Sequence, residues 1–169
     1  DGRATWGIAE KTTAWEISKK PWLGDWEKVG ASFSTEDIDL LVPCEPEKIV
    51  GVAQNYKSND DNGSLQPNPI FFLKTPGALS HSREGLSLPR ESDIAWGEAE
   101  LAFVVGVDHS STLGLSIFGY LVANDVTREN IGEHDHHLAY SKSARGFCPV
   151  GEIIDSSFKP STQYIRAFH

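Results

Sequence analysis

The stretch that decides the fold prediction is Trp96-Gly97-Glu98-Ala99-Glu100-Leu101-Ala102-Phe103-Val104-Val105, a run typical of a β-strand. Alternate side chains of a strand lie on one face, so Glu98 and Glu100 are expected to project side by side. Two adjacent like charges among apolar neighbours are costly unless a positive group lies between them. Asp125 ends a second apolar run that begins at Leu121. Three oxygen donors favour a hard cation, Mg²⁺, Mn²⁺ or Ca²⁺, over zinc.

A second interpretation of the two glutamates is the solvent-facing side of a half-exposed sheet, where acidic residues are common. Their neighbours are nearly all apolar or small, which makes this stretch a poor solvent face. The apolar context therefore favours the metal-site hypothesis over the surface interpretation.

Composition sets the broad class of the protein. The chain has 169 residues, of which 39% are hydrophobic and 23% charged, as in an ordinary globular protein of one domain with or without a small appendage. A formal charge of −9 argues against nucleic acid and anionic membranes as partners. The two cysteines, Cys44 and Cys148, lie far apart in sequence and suggest reduced thiols in a cytoplasmic protein. The chain contains no methionine, begins at Asp1 and stops at His169 within a strand-like run that starts at Tyr164, so we expect residues to be missing at both ends.

Short apolar segments separated by turn residues predict a mainly β architecture. A boundary near residue 45 would separate a small N-terminal domain, 1–45, from a core, 46–169. Residues 127–140 are predicted to form a helix or helical turn, and residues 57–69 a polar loop. The predicted strands are 3–9, 12–17, 48–53, 69–74, 98–107 and 117–124, with another after Gly146.

Five short motifs follow one another in an order that is more specific than any single motif. They are Lys48–Tyr56, Pro69–Pro76, Glu98–Leu101, Gly119–Thr127, and Lys142-Ser143 with Phe147–Gly151. Together they resemble the fumarylacetoacetate hydrolase (FAH) family over about residues 46–155. The resemblance implies a mainly β fold with minor α content, the mixed β-sandwich roll of the FAH C-terminal region, normally a homodimer.

The resemblance also implies site residues and an activity. Glu98, Glu100 and Asp125 would hold Mg²⁺ or Mn²⁺, and Lys142 would be the catalytic lysine. Residues that would line the substrate site are Asn55, Tyr56, Lys74 and Thr75. Lys74 is a candidate for the substrate's carboxylate, although a surface lysine at a strand end is an equally good interpretation. Family substrates are 2-oxo and 2,4-dioxo acids, which undergo C–C hydrolysis, isomerisation or decarboxylation through a metal-stabilised enolate.

Hydrolytic members carry a catalytic histidine, with a glutamate three residues later, shortly after the tyrosine that matches Tyr56. Asn59 and Asn62 stand there instead, and neither amide acts as a general base at neutral pH. Isomerisation and decarboxylation need no attacking water. We therefore expect an enzyme of the broad class hydrolase or isomerase/decarboxylase, without a choice among these reactions.

Further possibilities remain open from the sequence. His134, His136 and His137 are less favoured as ligands, because histidines in a polar helical segment are usually exposed. A catalytically inactive homologue that binds metal and an oxo acid is the second functional hypothesis. A β-rich structural domain without metal is the third, and in that case Glu98→Ala would leave ligand binding unchanged.

Overall fold

The computed structural model describes residues 2–56, 68–88, 94–129 and 135–167, and this part of the chain is mainly β. The strands are β1 Gly7–Glu10, β2 Thr13–Ile17, β3 Lys28–Ser34, β4 Ile49–Ala53, β5 Ile70–Lys74, β6 Leu79–His81, β7 Ala95–Trp96, β8 Ala99–Val107, β9 Leu115–Asn124, β10 Thr127–Arg128 and β11 Cys148–Val150. Helix α1 spans Ala139–Lys142, and 3₁₀ turns lie at Pro21–Leu23, Thr35–Asp37, Pro76–Ala78 and Pro160–Thr162. The predicted mainly β fold with minor α content is confirmed.

Within the described residues the strands pair into four sheets, with orders β1-β2-β3, β4-β5, β10-β7 and β6-β11-β9-β8. The last sheet is mixed, because β11 runs parallel to β6 and antiparallel to β9. Strand β4 is antiparallel to β5, with Ile49 opposite Lys74. The sheet β6-β11-β9-β8 carries the end of β9, after which Asp125 follows.

One compact unit comprises Asp1–Leu41, Ala102–Leu121 and Ile153–Gln163. Strands β1 and β2, which overlap the predicted strands 3–9 and 12–17, form an antiparallel hairpin, and Lys11 lies in the turn between them with φ of 57°. Strand β3 adds to this sheet and was not predicted, although its apolar residues Val29, Ala31 and Phe33 alternate along it. Trp22 is buried, and its ring packs edge-on against those of Trp6 and Phe118.

A second compact unit comprises Val42–Leu101, Val122–Glu152 and Tyr164–His169. Gly51 in β4 lies opposite Phe72, and an added Cβ would clash with the Phe72 ring, so only glycine lets the ring pack over this point of the strand. Cys44 and Cys148 are buried free thiols, and burial is the main cause that raises the pKa of Cys44 to about 11. The domain boundary near residue 45 stays a prediction.

The helix predicted for 127–140 is wrong at its start. Thr127 and Arg128 form β10, which pairs antiparallel with β7, and α1 begins only at Ala139. Both residues of β10 are buried, and Arg128 lies 3.3 Å from the ring centroid of Tyr140 while its Nη2 donates to the Tyr140 carbonyl at 2.8 Å. Pairing with a distant strand therefore overrides the local helical pattern.

Part of the predicted loop at 57–69, including Asn59 and Asn62, lies outside the described residues, as does His134. Along the described stretches, none of the helices combines the length and the apolar character that crossing a membrane requires.

Candidate metal centre

Asp125 is the most buried of the predicted ligands, with 7% of its surface exposed. It follows the last residue of β9, and its N–H donates to the Glu98 carbonyl at 2.9 Å, which ties the two acidic segments together. Two ammonium groups flank the carboxylate. Oδ1 lies 2.7 Å from Lys74 Nζ, and Oδ2 accepts a hydrogen bond from Lys142 Nζ at 2.6 Å. The two ammonium groups therefore compensate the negative charge of Asp125, as a buried carboxylate requires.

Glu98 is held in place through its backbone. Sequence reasoning placed Glu98 and Glu100 on one strand, but β8 begins at Ala99 and Glu98 lies in the link after β7. The Glu98 N–H donates to Asn124 Oδ1 at 3.0 Å. Gly97 makes room for the side-chain amide of Asn124, because an added Cβ at residue 97 would lie 2.9 Å from Asn124 Oδ1. The Asn124 side chain thus takes the place of a β-sheet hydrogen bond at Glu98 and fixes the position of the Glu98 backbone.

The Glu98 carboxylate is surrounded by donors. Oε1 accepts from Trp96 Nε1 at 2.8 Å and from Thr127 Oγ1 at 2.9 Å, and Oε2 accepts from Lys142 Nζ at 3.0 Å. Burial by itself raises the pKa of Glu98, but these donors, Lys142 foremost, favour the charged form and hold the pKa below its ordinary value. Glu98 is therefore an ionised carboxylate at neutral pH.

Glu100 on β8 has the opposite electrostatic environment. Burial is the largest cause that raises its pKa, and the nearby charges of Asp125 and Glu98 raise it further, against a hydrogen bond from Tyr56. The Tyr56 hydroxyl oxygen also accepts from the Leu101 N–H at 3.0 Å, and burial raises the pKa of this phenol. A carboxylate destabilised by its neighbours is one that a cation would stabilise.

The oxygen donors fit a single hard cation. One carboxylate oxygen from each of Glu98, Glu100 and Asp125 lies within 4.8 Å of the others. An ion with bonds of about 2.1 Å (Mg²⁺) or about 2.4 Å (Ca²⁺) spans at most about 4.2 or 4.8 Å between two ligands. In addition, Asp125 Oδ1 is buried and lies 2.7 Å from the Lys74 ammonium group, a contact that leaves a second lone pair on this oxygen. These observations agree with an all-oxygen site, with small adjustments for the smaller ions.

The two lysines near Asp125 differ in their surroundings. Lys142, in the last turn of α1, is 6% exposed and lies with Nζ 4.9 Å from the Phe72 ring centroid. Lys74 is 5% exposed, and its Nζ donates to the carbonyls of Val126, Lys142 and Phe147 at 3.1, 2.7 and 2.7 Å. Burial lowers the pKa of Lys74, and Asp125 opposes that effect. The interpretation of Lys74 as a surface lysine is wrong.

The other predicted site residues lie at the edges of this centre. Thr75 follows β5, and its N–H donates to Ser143 Oγ at 3.2 Å, which places it beside the residue after Lys142. Tyr56 contacts the Glu100 region as described. Asn55 is exposed two residues after β4. Their role as substrate contacts stays a prediction.

Sequence reasoning missed three residues that position the carboxylates, namely Trp96, Asn124 and Thr127. Each lies within two residues of a predicted ligand, and each carries a polar group in an otherwise apolar run. That proximity is the signal that would have found them.

The described histidines do not join the carboxylate cluster. His136 and His137 are exposed and do not join the acidic group among the described residues. His81 Nδ1 accepts from the Arg83 N–H at 3.1 Å, and its Nε2 lies 3.6 Å from Glu152 Oε1.

Comparison with known proteins identifies the family. Residues 48–166 match the family model described as the fumarylacetoacetate (FAA) hydrolase C-terminal region. The chain belongs to the fumarylacetoacetate hydrolase family. Its relatives include a protein of Mycobacterium tuberculosis, 30% identical over 161 residues that cover 91% of this chain and 60% of that protein. A mitochondrial oxaloacetate tautomerase of Xenopus laevis is 30% identical over 138 residues, 72% of this chain and 41% of the relative.

Solved FAH-family structures resemble the fold. A 5-carboxymethyl-2-hydroxymuconate delta-isomerase from Mycobacterium smegmatis matches with a TM-score of 0.76 and 27% identity, over 93% of this chain and 63% of that one. A maleylpyruvate hydrolase from a Sphingobium species, solved with manganese(II) and pyruvate, matches with a TM-score of 0.55 and 25% identity, over 75% of this chain and 45% of that one. The chain thus spans between 41% and 63% of the length of these four proteins. The FAH resemblance seen in the sequence is confirmed, and it is a resemblance to enzymes that include isomerases, a tautomerase and hydrolases.

Proposed function

We propose that this chain forms the metal-binding core of an enzyme that converts a 2-oxo or 2,4-dioxo acid through an enolate. The observation that carries the proposal is the convergence of Glu98, Glu100 and Asp125 within 4.8 Å, beside the Lys142 ammonium group. The oxygen-only donor set favours Mg²⁺ or Mn²⁺, with Ca²⁺ as a further possibility.

The charges of the site support an anionic substrate. Three carboxylates face two ammonium groups, those of Lys74 and Lys142, which leaves one net negative charge when all are ionised. A bound divalent cation turns this into one net positive charge. A monocarboxylate substrate would then neutralise the site, and a 2-oxo acid offers its carboxylate and keto oxygen as a chelating pair.

The residues of this chain have separable tasks in such a reaction. A divalent ion held by the three carboxylates would supply Lewis-acid stabilisation of the enolate. Lys142 places a positive charge next to the same carboxylates, where it favours negative charge developing on a bound oxo acid. Trp96 and Thr127 keep Glu98 ionised and oriented. Tyr56 hydrogen-bonds to the Leu101 N–H and lies at Glu100, a suitable position for a residue that lines the substrate site.

The reaction is proposed as hydrolase or isomerase chemistry in the broad sense, decarboxylation included. All three reactions share the enolate, and relatives bear names of both classes. Those names also motivate a place in aromatic catabolism. The asparagines at 59 and 62 favour reactions that need no attacking water.

The expected partners are proposals as well. We infer a small oxo-acid substrate and a homodimer, and we expect neither nucleic acid nor membrane as a partner at a charge of −9. A cytoplasmic location agrees with two unpaired thiols. Light scattering after gel filtration tests the oligomeric state directly.

The test is isothermal titration of Mn²⁺ into metal-free protein, with and without oxalate, a mimic of enolpyruvate. Wild type is compared with Glu100→Ala and with Glu47→Ala, an exposed glutamate of the same unit. We expect wild type and the Glu47 variant to bind Mn²⁺, oxalate to tighten that binding, and Glu100→Ala to lose both effects. Well-folded wild type that binds no Mn²⁺ would refute the proposal.

A second candidate is an inactive homologue that binds metal and oxo acid without turnover, which the substitutions at 59 and 62 motivate. Product formation from acylpyruvates or oxaloacetate distinguishes the two. Binding without product in every case would favour the inactive homologue.

A further inference from the structure

Lys74 was expected to contact a substrate carboxylate, yet its surroundings are those of an internal anchor. Its side chain is 3% exposed and sits at the end of β5. A lysine ammonium has three N–H donors. Here three backbone carbonyls accept from them, those of Val126, Lys142 and Phe147, at 3.1, 2.7 and 2.7 Å. This arrangement leaves no donor directed at a ligand.

The segments that Lys74 joins are the ones that carry the site. Val126 directly follows the predicted ligand Asp125, and Lys142 carries the ammonium group that pairs with Asp125 and Glu98. Phe147 is fully buried, and its carbonyl also accepts from the Val126 N–H at 3.2 Å. These acceptors lie 52, 68 and 73 residues from Lys74 in sequence. One ammonium group therefore fixes three chain segments that have no local reason to converge.

Lys74 also contacts the ligand carboxylate itself. Its Nζ forms an ion pair with Asp125 Oδ1 at 2.7 Å, as short as its hydrogen bonds to the carbonyls of Lys142 and Phe147. The attraction restrains the carboxylate but leaves an oxygen lone pair for a cation. Removing a neighbour that orients a metal ligand in this way typically weakens metal binding about 10- to 100-fold.

We propose that Lys74 is a positioning residue that sets the place of Asp125 and of the Lys142 backbone, and that it does not contact substrate. The inference rests on the proposed metal-dependent function and assigns Lys74 a different part in it. Lys74 acts through its ion pair with Asp125 and through its hydrogen bonds to the backbone carbonyls of Val126, Lys142 and Phe147.

The test separates metal affinity from ligand affinity. Lys74→Met removes the donors at similar length. Two controls are Lys48→Met, an exposed lysine of the same unit, and Val150→Ala, a core truncation in β11 that weakens the fold without touching Lys74. For each variant, calorimetry gives the Mn²⁺ affinity, and a second titration gives the oxalate affinity at saturating Mn²⁺. Circular dichroism and urea titration establish that each variant is folded.

We expect Lys74→Met to bind Mn²⁺ at least about tenfold more weakly than wild type and to bind oxalate at saturating Mn²⁺ nearly as well. Both controls should retain wild-type Mn²⁺ affinity, Val150→Ala despite its lower stability. A loss of oxalate affinity at unchanged Mn²⁺ affinity would overturn the inference in favour of substrate contact. An equal loss in Lys74→Met and Val150→Ala would reduce the role to general stability and also overturn it. If Lys74→Met does not fold, Lys74→Gln, which keeps two N–H donors, replaces it.

Failure of the proposed function gives a different result, since wild type itself would bind no Mn²⁺. Amide hydrogen exchange of the metal-free proteins then decides the positioning role. Exchange at Val126 and Phe147 should be faster in Lys74→Met than in either control, because their segments lose their shared partner. Unchanged exchange at both amides would overturn the inference.

Discussion

Asp125→Asn is the perturbation with the most direct structural consequence. The substitution keeps the shape of the side chain and removes a charge that lies 2.7 Å from Lys74 Nζ and 2.6 Å from Lys142 Nζ. At an effective dielectric of about 20, each contact contributes a gross attraction of about 6 kcal/mol. Most of this is offset by the cost of burying the charges, and removal of one partner from a buried pair typically costs about 3–5 kcal/mol.

The lower end of that range applies here, about 3 kcal/mol, because neither lysine is left without a partner. Lys142 keeps Glu98, and Lys74 keeps its three carbonyls. With a urea m-value of about 2 kcal/mol per molar, the unfolding midpoint of metal-free protein should fall by about 1.5 M. Asp37→Asn, an exposed aspartate, is the control and should leave the midpoint unchanged.

Urea unfolding followed by far-UV circular dichroism measures the change, and a double-mutant cycle with Lys142→Met assigns it. The double variant should lose less than the sum of the two single variants, since each single variant removes the same ion pair. A midpoint for Asp125→Asn within about 0.3 M of wild type would mean that burial cost cancels the attraction entirely. That result would refute the electrostatic reasoning for this cluster.

Three further predictions concern the neighbours of Asp125. Burial and nearby carboxylates raise the pKa of Glu100, so above pH 4.5 the folded metal-free protein keeps a proton that the unfolded chain has lost. The free energy of unfolding should therefore fall as pH rises above 4.5. Urea titrations at several pH values should show a flatter slope for Glu100→Gln. Trp96→Phe removes a 2.8 Å donor to Glu98 and should weaken Mn²⁺ binding about fivefold, measured by calorimetry; unchanged affinity would contradict a role for this donor. Gly97→Ala places a Cβ 2.9 Å from Asn124 Oδ1 and should cost about 1–3 kcal/mol in urea unfolding; a wild-type midpoint would contradict the packing argument.

Features that depend on local pattern were predictable from the sequence. Strands β4, β5, β8 and β9 were found because their apolar runs end at turn residues, and Asp125 was placed at a strand end for the same reason. The acidic cluster followed from chemistry, because three carboxylates in apolar runs need a positive partner. That partner is present in the structure as the ammonium group of Lys142.

Features that depend on distant contacts were not predictable in this way. Nothing in the residues around Thr127 and Arg128 shows that β7 will pair with them, so a helical pattern was favoured where a strand forms. Lys74 ends an apolar strand, where most lysines reach solvent. Its burial depends on contacts with residues distant in sequence, such as the hydrogen bond of 2.7 Å from Lys74 Nζ to the carbonyl of Phe147, 73 residues away.

The two buried lysines differ in what each can still offer to a ligand. Lys74 donates to three backbone carbonyls, so moving it would remove a hydrogen bond from each of them, although the Phe147 carbonyl would keep the Val126 N–H. A buried polar group left without a partner costs about 1–3 kcal/mol. Lys142 Nζ donates to two carboxylates, Glu98 and Asp125, which leaves one of its three N–H groups for an anionic ligand within the described structure. A carboxylate pair that gains a divalent ion also binds the ammonium group less strongly. In the proposed function, Lys142 would therefore be the lysine that shifts toward a substrate, and Lys74 would keep the carboxylates in place.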